Sequence, residues 1–95
     1  MRIVVLKLIT GEEVIAKQSD EKCQDGHIFI KPRTFQIVQD QTGNVRAGLI
    51  PWIMSDPDAE VLIKDSAIIA MIDATKQIED SYLQQTSSLD LSGKL

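Results

Sequence analysis

The run Val61–Ile72, V-L-I-K-D-S-A-I-I-A-M-I, is the most apolar stretch of this 95-residue chain and is broken once, at Lys64-Asp65-Ser66. It is long enough for one buried helix. However, Val61, Ile63, Ile68, Ile69 and Ile72 are β-branched and stiff at the first side-chain torsion, and the polar break leaves two strand-length pieces. The pattern predicts two short strands around a tight turn. On the second, Ile68, Ala70 and Ile72 are expected on one face and Ala67, Ile69 and Met71 on the other, so neither face is polar enough for water. A small all-β chain covers one such face with its own interior. The other needs the C-terminal helix or a second copy of the protein.

The preceding chain supplies strands of the same kind. Ile3 to Leu8 alternates loosely and runs into Thr10-Gly11-Glu12-Glu13, a strand followed by a glycine turn; Val14-Ile15-Ala16 opens a second strand that loses its apolar character by Gln18. The polar segment Ser19 to Gly26 ends in Asp25-Gly26, a strong hairpin signal. In the third strand, His27 to Gln39, the apolar positions change parity between Ile28/Ile30 and Phe35/Ile37. Such a switch demands a bulge, and Pro32 marks where it falls. After Gln41-Thr42-Gly43-Asn44 the fourth strand switches likewise, from Ala47/Leu49 to Ile50/Trp52/Met54, around Gly48 and Pro51. Two bent strands in succession predict a strongly curved small barrel. Ser55 to Glu60 is a loop by composition. Beyond Ile72, Asp73 is a candidate cap for a helix over 74–85 with Ile78, Tyr82 and Gln85 on one side, and 87–95 is expected to be a loose tail.

The expected fold class is therefore all-β, a five-stranded, strongly bent open barrel plus one C-terminal helix, in a single domain over 1–86. A net charge of −4 argues against broad attraction to phosphate backbones or anionic lipid. No run approaches a membrane span, and the apolar start Ile3 to Leu6 is too short for a signal peptide. One cysteine, Cys23, cannot form an intramolecular disulfide, so the cytoplasm is the expected compartment.

The last strand pair resembles the second motif of the Sm-like family, an aliphatic strand, a basic and a small polar residue, then another aliphatic strand. Here Ile63-Lys64-Asp65-Ser66-Ala67-Ile68-Ile69-Ala70-Met71-Ile72 matches it, with Asp65 where the family usually has glycine. Leu8-x-x-Gly11-x-x-Val14 looks like the opening of the first motif. Gly11-Glu12-Glu13-Val14-Ile15-Ala16, Lys31-Pro32, Leu49-Ile50-Pro51-Trp52 and a closing helix with Tyr82 look like the small Sm-like proteins encoded by tailed phages of marine cyanobacteria. The resemblance covers roughly residues 2–85 and implies a homo-oligomeric ring of five to seven subunits. In such rings the fourth strand of one copy pairs with the fifth of the next, and the compartment would be the host cytoplasm if the chain is phage-encoded. It also implies single-stranded RNA as the ligand. Lys64 occupies the place of the family's base-proximal basic residue. Where the family has an aromatic and an asparagine, this chain has Cys23-Gln24-Asp25-Gly26-His27, in which His27 alone could stack on a base. Val61, Ile63, Ile68 and Ala70 are the expected subunit contact.

Other chemistry is sparse. Cys23-x-x-x-His27 beside Asp20 and Asp25 falls short of the four ligands of a zinc site, and Glu12-Glu13 point to opposite faces of a strand. No nucleophile triad, glycine-rich phosphate loop or metalloprotease motif is present, so neither enzyme activity nor a metal or other cofactor is expected. Trp52, Phe29 and Phe35 read as core residues, and Lys31, Arg33 and Lys64 as the most suggestive basic set. A ring that has lost nucleotide binding and serves as a protein-interaction or assembly component is the alternative expectation.

Overall fold

Val4, Leu6 and Leu8 are buried and alternate with the less buried Ile3, Val5 and Lys7, the period of two of an extended strand. In a computed structural model that describes residues 2–93, except the side chains at 22, 38, 46, 47 and 87–93, it spans Arg2–Leu8 (β1). It is followed by β2 Glu13–Lys22, β3 Gly26–Gln39, β4 Val45–Pro51, β5 Glu60–Lys64, β6 Ile68–Asp73 and α1 Lys76–Gly93. A 3-10 turn, Asp65–Ala67, joins β5 to β6. The protein is thus mostly antiparallel β with one C-terminal helix, but its strands number six where five were expected. Pro51 ends β4, and the next amide, Trp52 N–H, donates to Pro32 O at 3.0 Å. The chain then detours through 52–59 before β5 begins. Both pieces nevertheless line the same long strand, β4 along 33–39 and β5 along 26–30 of β3.

The strand order is β4-β3-β2-β1-β6, with β5 on β3. In a flat sheet β5 and β6 would stand four strand spacings apart, about 19 Å. Three residues of 3-10 helix advance only about 6–8 Å. The sheet is therefore curved rather than flat, and the core lies on its inner face. Val4, Leu6, Leu8, Val14, Ala16, Phe29 and Ile63 are buried there, with Trp52, Val61, Ala67, Ile68 and Met71 packed against them. Each large aliphatic side chain so buried contributes about 1.5–3 kcal/mol.

Three register shifts interrupt the pairing, two between β2 and β3 and one between β1 and β6. Between β2 and β3, Ile15 pairs with Arg33 and Lys17 with Ile30, so Ala16 faces the pair Lys31-Pro32. This is the parity switch expected at Pro32. Lys31 adopts φ +52°, a conformation costly for a side-chain-bearing residue. Farther along, Gln18 pairs with Phe29 and Lys22 with His27, so Ser19, Asp20 and Glu21 face Ile28 alone. The shift between β1 and β6 was not expected. Lys7 pairs with Ala70 and Leu8 with Ile68, leaving Ile69 without a partner on β1. Strict alternation therefore fails in β6: Ile68 and Met71 turn toward the core, while Ile69, Ala70 and Ile72 are exposed.

The helix also departs from expectation at both ends. Thr75, not Asp73, caps it, its Oγ1 accepting the Ile78 N–H at 3.3 Å, because Asp73 is still held in β6 opposite Val4. It continues past Gln85 to Gly93, since no glycine or proline interrupts the chain between Lys76 and Gly93. The helix bounds thus run into the segment expected as a tail, of which 94–95 lie outside the described residues. Tyr82 and Thr86 are buried and Ile78 and Gln85 half-buried, so the expected apolar stripe is the face laid on the sheet.

Candidate functional site

Gly26 begins β3 opposite Lys64, the last residue of β5, and His27 stands opposite Ile63. The pairing is unusually close: a Cβ on Gly26 would come within 2.4 Å of Ile63 O, so only glycine lets the two backbones meet here. Asp65 N–H then donates to Asp25 O at 2.7 Å and ties the β2–β3 turn to the β5–β6 turn. Two residues singled out from sequence, His27 and Lys64, are in this way brought to the same end of the sheet.

The His27 ring is held from both sides. Gln18 Nε2 lies 3.4 Å from His27 Nδ1, and His27 Nε2 lies 3.3 Å from Asp65 Oδ1. An amide donor facing Nδ1 leaves Nε2 to carry the proton of the neutral ring and donate it to Asp65. Phe29 supports the ring, centroids 6.1 Å apart and planes tilted by 59°. Shallow cavities flank the paired turns. One, of about 370 Å³, is lined by Gln18, Cys23 and His27 together with Asp20 and Glu21. The other, of about 400 Å³, is lined by Gln24, Asp25, Lys64, Asp65 and Ser66. Asp20 and Glu21 thus line the cavity beside the imidazole, and Asp25 and Asp65 the one beside Lys64.

The remaining expectations divide. Ile63 belongs to the chain's own core, and Val61 and Ile68 pack against it, so these three are largely used within one copy; Ala70 is exposed. The side chains left outward on β5 and β6 are instead Leu62, Ile69 and Ile72, at 53%, 63% and 61% exposure. On β6 the bulge at Ile69 sets which side chains these are, whereas on β5 plain alternation turns Leu62 outward. Phe29 is core as expected. Trp52 packs against the core and donates from Nε1 to Glu12 Oε2 at 3.1 Å, and Phe35 lies half-buried beside Ile78. Lys31, Arg33 and Lys64 do not form a basic patch, because Arg33 is fully buried on the helix-covered side of the sheet. Among the described residues no three His, Cys, Asp or Glu side chains gather to hold a metal, and no helix is long and apolar enough to cross a membrane.

Sequence reasoning missed Gln18 and Asp65 as the groups that orient His27. Gln18 carried no signal, since its register against β3 depends on the bulge. Asp65 had one, as the acidic residue in the turn beside the candidate lysine. The chain matches no family model and no curated protein.

Proposed function

We propose that this chain is a non-enzymatic Sm-like module that assembles into a homo-oligomeric ring through its edge strands. The observation that carries the reading is the pair of unpaired strand edges, β5 with Leu62 outward and β6 with Ile69 and Ile72 outward, joined by one tight turn. Apolar edges of this kind invite pairing with another copy, and pairing β5 of one copy to β6 of the next removes both from water. The strand order, with the last strand beside the first and the penultimate strand beside the third, supports the Sm-like resemblance. Light scattering tests the assembly: a mass of five to seven subunits is expected, falling toward the monomer in Ile69→Glu/Ile72→Glu. A monodisperse wild-type monomer at 100 µM or so would refute it.

The ligand proposed for the ring is single-stranded RNA, with Lys64 supplying charge near the pore and His27 a stacking surface. Repetition of one lysine around a pore concentrates positive charge despite an acidic total. The carboxylates of Asp25 and Asp65 beside that lysine favour the second reading, an assembly component that binds protein instead. Oligo-U and oligo-A titrations at low salt separate the two. RNA binding should be weakened by added salt and by Lys64→Ala, whereas no binding at micromolar protein leaves the assembly reading.

A further inference from the structure

A line of polar side chains runs across the sheet from Asp73 to Asp65. Asp73, which ends β6, holds Arg2 at the start of β1, with Oδ1 3.2 Å from Nη1. Arg2 stands opposite Gln18 of β2 and donates to its Oε1 from Nε at 3.3 Å and from Nη2 at 3.0 Å. Gln18 Nε2 lies 3.4 Å from His27 Nδ1 on β3, and His27 Nε2 lies 3.3 Å from Asp65 Oδ1 in the turn that leads into β6. The line thus joins the two ends of β6 by way of β1, β2 and β3.

Arg2 fixes its direction. A guanidinium has no acceptor, so it admits only the oxygen of Gln18; the amide NH2 is then left facing His27, and Nδ1 must be the bare nitrogen. Charging the ring breaks this order. An imidazolium donates from both nitrogens, so Nδ1–H would meet the Gln18 NH2, and turning the ring over puts an N–H back in the same place. Turning the amide instead offers its oxygen to the ring but sets its NH2 against the Arg2 donors. Because Arg2 and His27 lie at opposite ends of the amide, its oxygen serves one or the other.

We propose that these side chains form a proton switch, in which protonation of His27 turns the Gln18 amide and releases Arg2, leaving Asp73 to hold it. Charged groups reach the ring from each neighbouring segment. Asp65 faces Nε2, Asp20 and Glu21 of β2 line the adjoining cavity with Gln18 and Cys23, Asp25 and Lys64 border the paired turns, and Lys22 stands opposite His27 in register. Phe29, against the ring on its own strand, is neutral. In the protonated state the cavity of about 370 Å³ gains a cation beside the carboxylates of Asp20 and Glu21. This inference is independent of the ring assembly and of RNA.

The test is NMR on the full chain between about pH 5 and 8, where imidazole ordinarily changes charge. The single histidine makes its ring signals unambiguous. At the alkaline end, long-range 1H–15N spectra should show the ring proton on Nε2. As the ring charges, the Arg2 Nε–Hε and Gln18 side-chain amide resonances should move with the same midpoint as the imidazole. Gln18→Leu should uncouple Arg2 from this titration. So should Gln18→Glu, whose carboxylate accepts from Arg2 and from the charged ring at once. An Arg2 resonance that stays still while wild-type His27 titrates, or that moves as far in either variant, overturns the proposal. So does a ring that stays neutral throughout, or a neutral ring protonated at Nδ1.

Discussion

Tyr82 offers a clean perturbation, because its hydroxyl serves the strained bulge of β3 and its ring serves packing. The side chain is fully buried, and the hydroxyl donates to Ile30 O and Lys31 O, at 2.9 and 3.0 Å. These carbonyls flank the point where β2 and β3 lose register and where Lys31 takes its positive φ. In Tyr82→Phe the ring remains and no cavity opens, so the loss is confined to the donor. Leaving a buried carbonyl without its partner costs about 1–3 kcal/mol. Taking ~2 kcal/mol, and 4–8 °C per kcal/mol for a domain of this size, the melting temperature should fall by roughly 8–16 °C. Circular dichroism melts at fixed protein concentration measure this, and concentration must be matched because assembly would shift both curves. Native-state hydrogen exchange adds a local readout, with faster exchange expected in β2 and β3 around 15–33 than in β1. A Tm within 2 °C of wild type would refute the reasoning, since the bulge would then not depend on the helix.

The same residue predicts a pH dependence. Burial pushes the Tyr82 hydroxyl up to about 12, against a smaller opposing effect of the Lys17 backbone N–H and the Arg33 charge. The folded state therefore holds this proton more tightly than the unfolded chain, whose tyrosine titrates near 10, so stability is full below about pH 10 and declines as pH rises toward 12. Absorbance at 295 nm should show the single tyrosine titrating near 12 while the protein stays folded; a midpoint near 10 in folded protein would contradict it. Gly26→Ala should destabilise by about 1–3 kcal/mol, because the new Cβ meets the Ile63 carbonyl in backbone that has little room to yield. Denaturant melts check that figure, and a neutral result would mean the two turns are not closely docked. Asp65→Asn, by contrast, should change stability by no more than ~0.5 kcal/mol, since the His27–Asp65 contact joins side chains that are 40% and 62% exposed. Its effect should appear in the imidazole resonances of His27, whose Nε2–H then faces a neutral amide in place of a carboxylate.

Much of the architecture was legible because it rests on local rules. β-Branched residues on either side of Lys64-Asp65-Ser66 do form two strands around a tight turn. The parity change at Pro32 does mark a bulge, because a side-chain period of two cannot change phase without an extra residue. The Ile78, Tyr82 and Gln85 stripe does face the sheet. Boundaries were less legible. Ser19 to Lys22 is strand despite its polarity, and the register against β3 slips there, with Gln18 opposite Phe29 and Lys22 opposite His27. The bulge at Ile69 left no trace in composition, because every residue around it is apolar and either phase reads alike.

The amino-acid order alone determined the class of fold, the place of the sharp bend and the stripe by which the helix docks, all of which follow from periods and turn chemistry within a few residues. Tertiary structure alone decided that His27 and Lys64 share one end of the sheet and that Arg33 is fully buried. It also decided that Leu62, Ile69 and Ile72 are the side chains left facing water. Each depends on pairing between segments dozens of residues apart, where one bulge moves every later side chain to the other face.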